Sequence, residues 1–584
     1  MQISPEDRVP QERDREPSLS EQETVTPTPD QMASSNPDAT PQELPKPNGP
    51  APVTGAHLVH LDCVDSQYFH YTFRPGLLFL TLKWQAIPKI TDEFHSLRDV
   101  GWYGSAYQLG SAVFVPLSGG IYNNFTLKWS YLTFFAIFEA GSAICGAAPS
   151  SAALIVGRVI AGIGASGLNS GAFTILSCSV PIERRPAILG MLFGIAQLGA
   201  VLGPLIGGAF TTGYTWRWCF YINLPLGALV AGPLVFMRVP NQFPKQNPMT
   251  IVRKLHRHFD LVGFALFTSA IVELILALQF GGNQFHWYSS QVIGLFVGSG
   301  VTFIVWGFWN GRQGDIGLLP FALIKKKEVL SSGINYAFLL ATVYGSLYFL
   351  PIYFQAVHND SAIKSGVNLL AIILPQLFSA VVGGKLLEIV GYAAPFALVG
   401  CAINAVGTGL FSLLQPSTSI GKWVGFSILS GFGRGVALQA PIITTQSSVS
   451  PKHVAPATAF VVWCQYIGPT IFLTLFNVIF DTGLRSQLHE KAPDVDAEAV
   501  VLAGATNFRS IVSMQDLPNV LIAYSTSLDY TFYLGAGAGA LAWAAAWGMG
   551  WNDIRKKTAP STQPEDVKVG QDAGAQGSVN ETKV

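Results

Sequence analysis

Residues 190–210 read GMLFGIAQLGAVLGPLIGGAF. The stretch carries no charge, and its length matches the ~20 residues that cross a hydrocarbon core of about 30 Å. Within it stand Gly199, the pair Gly203-Pro204 and the pair Gly207-Gly208. Small residues four apart let one helix backbone approach another closely. Pro204 removes a backbone donor and bends the helix. A glycine-lined, bent helix at a bundle interface serves as a gate or sealed seam, or as ordinary tight packing; the residues alone leave both open.

Outward from this stretch the same character continues. The 584-residue chain is 49% hydrophobic and only 12% charged, with mean hydropathy +0.37. Soluble domains carry about 25% charged residues, so half that density cannot coat a water-soluble protein of this size. Apolar runs fall at 103–122, 129–148, 151–176, 186–210, 217–237, 261–281, 290–309, 331–355, 367–388, 393–414, 422–446, 454–479 and 530–551. A poorer run at 71–90 is interrupted by Arg74, Pro75 and Lys83. The reading is an all-α polytopic membrane protein of about fourteen transmembrane helices.

Basic residues in short loops orient such a chain. With fourteen spans and a cytosolic N-terminus, the inward loops carry Lys128, Arg184 with Arg185, Arg253 with Lys254 and Arg257, Lys325 to Lys327, and Arg555 to Lys557. The short outward loops AAPSS and QFGGNQFHWYSS carry no Lys or Arg. An even number of spans satisfies the bias, which argues that 71–90 inserts. Residues 1–56 and 556–584 lack the apolar content to order themselves and read as disordered cytoplasmic tails. The expected organisation is a six-helix bundle over 71–237, a cytoplasmic loop at 238–260, two linker helices over 261–309, and a second six-helix bundle over 331–551 with a long outward loop at 480–529.

Polar residues inside spans carry the chemistry, because burying them in lipid is costly. Arg158 lies about seven residues, roughly 10 Å, inside its helix. It reads as facing a cavity or partner, against an interfacial arginine snorkelling to water. Arg434, flanked by Gly433 and Gly435, reads as a cavity or helix-contact residue. Gln439, Gln446 and Gln465 either line a polar cavity or cross-link helices. Glu273 is the carboxylate best placed inside a clear span. It reads as a proton site, or as a paired residue on a peripheral helix. Asn359 begins a sequon in an outward loop. Six scattered cysteines without a C-x-x-C support neither a metal site nor a disulfide framework, and no cofactor is expected. With net charge +0 nothing recruits nucleic acid. The chain shows no nucleophile elbow, metal cluster or phosphate loop, so no enzymatic activity is expected.

Several motifs resemble one family. GPLIGG (203–208) is similar to the antiporter signature of the major facilitator superfamily, and GRVIAGIGASG (157–167) resembles its arginine-bearing fourth-helix motif. WRWCFYINLPLG (216–227) resembles the beginning of its sixth helix in the fourteen-span drug:proton antiporter branch. ITDEFHSLRDVGWYGSAYQL, YFLPIYFQAVHNDSAIKSGV and GFGRGVALQAPIITTQ resemble fungal members of that branch. The loop GGIYNNFTLKW keeps Gly119 and Lys128 but has Asn123 where the family usually has an acid. Phe79 stands where the family pattern places an aspartate before Ala86-Ile87-Pro88.

The resemblance implies two six-helix bundles plus two central helices. It implies a monomeric, proton-coupled efflux pump for a drug, toxin or fungal secondary metabolite, residing in the plasma membrane or, alternatively, the vacuolar membrane. Arg158 would tune the proton site, and the 199–208 glycines with Pro204 would form the seam. A siderophore or basic amino acid transporter, and a non-transporting sensor, remain alternative readings.

Overall fold

The computed structural model describes residues 87–94, 100–194, 199, 210, 213–236 and 239–555, without 242, 244, 246 and 283. A chain that buries its backbone in lipid must satisfy each peptide group within its own segment, and the result is helix after helix. In order these are α1 (Ile87–Phe94), α2 (Val100–Asn124), α3 (Leu127–Ala147), α4 (Ser151–Ser179), α5 (beginning at 185), α6 (Asn223–Phe236), α7 (Leu261–Phe280), α8 (Ser290–Gln313), α9 (Lys327–Ile352), α10 (Leu370–Val390), α11 (Ala393–Leu410), α12 (Ile420–Ala437), α13 (Ala440–Ser448), α14 (Val454–Lys491), α15 (Ala497–Asn507) and α16 (Leu517–Ala546). Two isolated β-bridges, Gly281 with Phe285 and Tyr392 with Asp553, are the extended pairings among the described residues.

Ten helical stretches among the described residues are long and apolar enough to cross a bilayer. Helices α2 and α16, of 25 and 30 residues, fall short of them in apolarity. The first expected span, 71–90, lies outside the described residues up to 86, as do both expected tails.

Local chemistry sets the helix ends. Ser150, Asp260 and Ser289 accept hydrogen bonds from the free N–H groups of Ala153, Gly263 and Val292 at the starts of α4, α7 and α8. Gly391 closes α10 with φ 83°, a left-handed cap that glycine adopts without steric cost. Helix α4 packs between α2 and α3, α12 packs against α10 and α11, and α9 packs against α14 and α16. The α7–α8 hairpin leans on α2 through α7, while α8 exposes Ile293, Val297, Val301, Ile304 and Phe308. An aliphatic stripe of that size is a lipid-facing surface in a chain of this composition.

Three segments differ from the hydropathy reading. The expected 422–446 span is broken between α12 and α13 at Leu438 and Gln439, two residues before Pro441, which has no N–H to continue the ladder. The 331–355 span ends in a π-helical turn, Tyr353–Val357. The connection 480–529, expected to be a loop, is largely helical. Helix α14 runs 38 residues, about 57 Å at 1.5 Å per residue, well beyond a hydrocarbon core. α15 follows, and α16 starts at Leu517, ahead of the expected 530. Hydropathy registers only the apolar part of each helix. The polar extensions are held by packing of Phe480, Leu484 and Leu488 with Val500, Phe508, Tyr524 and Leu528.

Candidate functional site

The interior polar groups are set by which helices glycine allows to touch. At Gly162 an added Cβ would stand 2.2 Å from the Tyr107 carbonyl oxygen, so α4 lies backbone to backbone on α2. That approach buries Arg158, 4% exposed. Its Nε donates to the Tyr103 carbonyl at 2.6 Å, and its guanidinium stacks 5.0 Å from the Tyr107 ring centroid. Tyr103 Oη donates to Ser151 Oγ at 2.9 Å, so Tyr103 of α2 is tied to α4 at two points about two turns apart. Arg158 Nη1 is buried without a hydrogen-bond partner. The arginine therefore faces a partner helix rather than lipid.

Arg434, on α12, is fully buried. Its Nε donates to Asn404 Oδ1 (2.8 Å) on α11, and its Nη2 donates to Ser346 Oγ (2.6 Å) and the Thr342 carbonyl (3.3 Å) on α9. Asn404 also donates to Thr342 Oγ1 (2.8 Å) and accepts from Ser430 (3.1 Å). One arginine thus joins three helices through neutral oxygens. A small cavity opens beside it, lined by Thr342, Ser346, Thr408, Phe476, Thr531 and Phe532 among others.

The halves of the chain meet along a seam of small residues and amides. Asn169 Nδ2 donates to Tyr466 Oη at 2.6 Å between α4 and α14. Arg185 Nη1 donates to Gln446 Oε1 at 3.1 Å, and Gln446 Nε2 donates to the Phe173 carbonyl at 3.2 Å. Gln439, at the α12–α13 break, is buried with neither amide atom bonded; it lies over Gly190 of α5 and Gly383 of α10. Gln465 has a buried, unbonded Oε1. At Gly190 a Cβ would meet the Ala380 carbonyl at 2.2 Å, and at Gly119 it would meet Ala459 Cβ at 2.7 Å. Of the three glutamines, Gln446 is a cross-link between the halves, and Gln439 and Gln465 have free hydrogen-bonding capacity.

Other sequence-nominated residues are scattered. Glu273 sits inside the α7–α8 hairpin, where Thr302 Oγ1 donates to its Oε2 at 3.5 Å and Gly298 packs beside it. Asn359 is exposed in a turn with φ 56°. Gly199 is helical and buried; Gly203, Pro204, Gly207 and Gly208 lie outside the described residues.

The structure adds groups that sequence reading did not single out. Glu93 of α1 accepts from Trp216 Nε1 (2.6 Å) and Arg217 Nη1 (2.8 Å), while Arg217 Nη2 donates to the Ala148 carbonyl (2.9 Å). The Trp216 hydrogen bond, then Arg217, hold the Glu93 carboxyl below its ordinary pKa. Lys245 donates to the Asn123 and Tyr122 carbonyls at the end of α2, at 2.6 and 3.3 Å, a cation on the negative end of a helix dipole; burial lowers its pKa. At the opposite end His358, whose pKa burial also lowers, pairs with Tyr353 Oη at 2.9 Å. Asp529, assigned by hydropathy to a loop, is a buried residue of α16. No spacing rule links Glu93 to Arg217, 124 residues on.

No group of three or more His, Cys, Asp or Glu able to hold a metal occurs among the described residues.

A model of the Major Facilitator Superfamily matches residues 77–473. An MFS-type transporter of Monascus ruber, pigP, is 50% identical over 475 residues, which cover 81% of this chain and 83% of that protein. The efflux pump mlcE of Penicillium citrinum is 44% identical over 497 residues, covering 84% of this chain and 90% of that protein. Among solved structures, a double-tryptophan mutant of XylE superposes with a TM-score of 0.55 at 11% identity, covering 85% of this chain and 97% of that one; at this identity the likeness is one of fold.

Proposed function

This chain belongs to the Major Facilitator Superfamily, and we propose that it is an efflux permease that expels a small organic compound, a drug, toxin or secondary metabolite, in exchange for protons. It is a multi-pass membrane protein and a transporter rather than an enzyme. The observation that carries the direction of transport is the 44% identity, over nine tenths of its length, to a relative named an efflux pump. The cargo class in this reading rests on the family resemblance of the sequence motifs alone.

In this reading the two halves rock about a central site and expose it alternately to each side. The Arg185–Gln446 and Asn169–Tyr466 bonds are contacts that one of the two states makes and the other breaks. The end of the bundle bearing Lys128, Arg185 and Lys245 faces the cytosol, and the membrane is the plasma membrane. Coupling is assigned to the polar groups around Arg158 rather than to Glu273, which is enclosed in the hairpin. The glycines at 199–208 with Pro204 supply the flexible seam, and the working unit is a monomer.

The test is net flux. Expressed in yeast lacking its own pumps, the protein should lower accumulation of at least one compound from a panel of labelled apolar solutes, and a protonophore should abolish the effect. Accumulation equal to that of the empty vector across the panel would overturn export. Export that survives collapse of the proton gradient would overturn the coupling.

A further inference from the structure

We propose that the segment 241–258, which connects α6 to α7, is a surface that binds the anionic lipid headgroups of the cytoplasmic leaflet. The inference concerns a lipid partner, not the exported cargo, and it rests on the cytosolic orientation of this end.

The first observation is where the segment lies. Leu127 N donates to Asn241 Oδ1 at 3.0 Å. Lys245 Nζ holds the Tyr122 and Asn123 carbonyls at the end of α2, and the Phe259 ring stacks on Phe125 at 6.1 Å. Three contacts thus pin the segment to the turn between α2 and α3. Helix α7 begins directly after it, at Leu261, with 20 residues. That length rises about 30 Å, the thickness of a hydrocarbon core, so the segment starts where the hydrocarbon ends. Trp129, exposed in the first turn of α3, stands at the same end, and tryptophan is enriched at membrane interfaces.

The second observation is a two-sided helix. Asn247 accepts from Met249 N at 3.1 Å and starts a short helix, Pro248–Arg253. It turns Ile251 into the protein, 1% exposed, and leaves Met249 and Val252 uncovered, 61% and 55% exposed. Leu255 follows and is also exposed, as are Leu261 and Val262 at the start of α7. Apolar side chains that continue into a lipid-facing helix are buried when the segment lies in the interface plane.

The third observation is charge. From Arg238 to Phe259 the chain carries Arg238, Lys245, Arg253, Lys254 and Arg257 and no Asp or Glu. Arg253 and Lys254 are exposed, and none of the ion pairs among the described residues includes either. Asp260, the next acid in the chain, is buried and turned inward, its Oδ1 accepting from Gly263 N and Trp309 Nε1. At the end of α8, Arg312 and Asp315 offset one another. Basic heads beside exposed apolar side chains fit an anionic bilayer surface: the apolar groups enter the boundary of the acyl chains, and the cations reach the phosphates. Docking would fix the ends of α2 and α7 against the leaflet during transport.

The experiment uses the full-length protein in nanodiscs. An environment-sensitive fluorophore is attached at Met249→Cys in a background with Cys63→Ser and Cys178→Ser, the other native cysteines being buried. Its emission should shift to the blue in discs containing phosphatidylserine and much less in phosphatidylcholine alone, and concentrated salt should reverse the shift. Each basic residue near an anionic surface contributes about fivefold, so Arg253→Gln with Lys254→Gln should lower the ratio of docked to undocked segment about 30-fold. Both side chains are exposed, so the melting temperature in detergent should stay at that of wild type. Val252→Asp, which leaves every basic residue in place, should also lose docking. An equal signal in the two lipids, or a wild-type signal in the double variant, overturns the proposal. A signal independent of lipid charge that vanishes on deletion of residues 1–56, ten of them acidic, assigns the surface to that segment and overturns the lipid. The readout is lipid contact rather than flux, so its failure leaves the export reading untouched.

Discussion

Arg185 and Gln446, 261 residues apart, meet at 3.1 Å and join the first residue of α5 to the end of α13. Arg185 also donates to the Val180 and Ser177 carbonyls, at 2.9 and 2.5 Å, so its position is fixed by the first half of the chain alone. The bond to Gln446 is then the part that is free to break when the halves separate. A hydrogen bond to a charged donor contributes about 1.5–3 kcal/mol, a shift of roughly 10- to 100-fold in a two-state equilibrium. Gln446→Ala should therefore open the seam at this end. The readout is the alkylation rate of Cys178, partly buried in the last turn of α4 near Arg185, in a background with Cys63 replaced by Ser. The rate should rise about tenfold or more, and an unchanged rate would show that the seam does not depend on this bond.

Glycines that look alike in the sequence differ sharply in what surrounds them. A Cβ at Gly162 would stand 2.2 Å from the Tyr107 carbonyl oxygen, and at Gly164 it would stand 2.4 Å from Phe138 N; at Gly537 of α16 nothing lies within 4 Å. Gly162→Ala must push α4 off α2 and should cost about 1–3 kcal/mol, as overpacking does. Gly537→Ala gains helix propensity of up to about 1 kcal/mol at no steric cost. In size-exclusion profiles and thermal melts of purified protein, the first should lose monodisperse yield and the second should match or exceed wild type.

Glu93 ties α1 to the turn before α6 through Trp216 and Arg217. Its pKa is lowered in the folded protein. The sign follows: the stabilisation is complete above the ordinary carboxylate pKa and is lost as pH falls through the lowered one. The ion pair is partly exposed, with Glu93 45% accessible, and such pairs contribute about 0.2–1 kcal/mol. Wild type should melt about 1 °C above Glu93→Gln at pH 7, and the gap should close on acidification below about pH 4. A gap that widens in acid would exclude the assigned pairing.

Much of the architecture is legible because a bilayer imposes one rule on every span: about 20 predominantly apolar residues with few or no charges. The runs at 129–148, 261–281 and 393–414 agree with α3, α7 and α11 to within a few residues for that reason. What hydropathy cannot register is helix that leaves the membrane. The extension of α14 beyond residue 479 is amphipathic, and its Leu484 and Leu488 become core only because α15 and α16 fold back onto them. The site divides in the same way. Arg158 and Arg434 are visible as charges where charges are expensive. Their partners are not: Arg158 bonds a backbone carbonyl, which any residue supplies, and Arg434 bonds Asn404 and Ser346, 30 and 88 residues away. Glu93 escapes for the opposite reason, since a carboxylate outside the apolar runs is unremarkable until Arg217 arrives beside it.

Arg158 separates a structural role from a functional one most cleanly. Its Nε bond to the Tyr103 carbonyl and its stacking on Tyr107 hold α2 to α4, but Gly162 and the Ser111 bond to the Gly162 carbonyl at 3.0 Å hold the same pair. Removal of the arginine should thus leave the helices assembled. What it takes away is a buried positive charge whose Nη1 is not used in that packing. Lysine restores charge without the planar fork, and glutamine restores polarity without charge. If the charge serves transport, Arg158→Ala and Arg158→Gln should lower export at least 10-fold with surface expression and melting temperature near wild type, while Arg158→Lys should keep a measurable fraction. If Arg158 only fastens α2 to α4, all three variants should lose expression and export together, with lysine no better than alanine. Measuring export per molecule at the cell surface, rather than resistance alone, distinguishes the two outcomes.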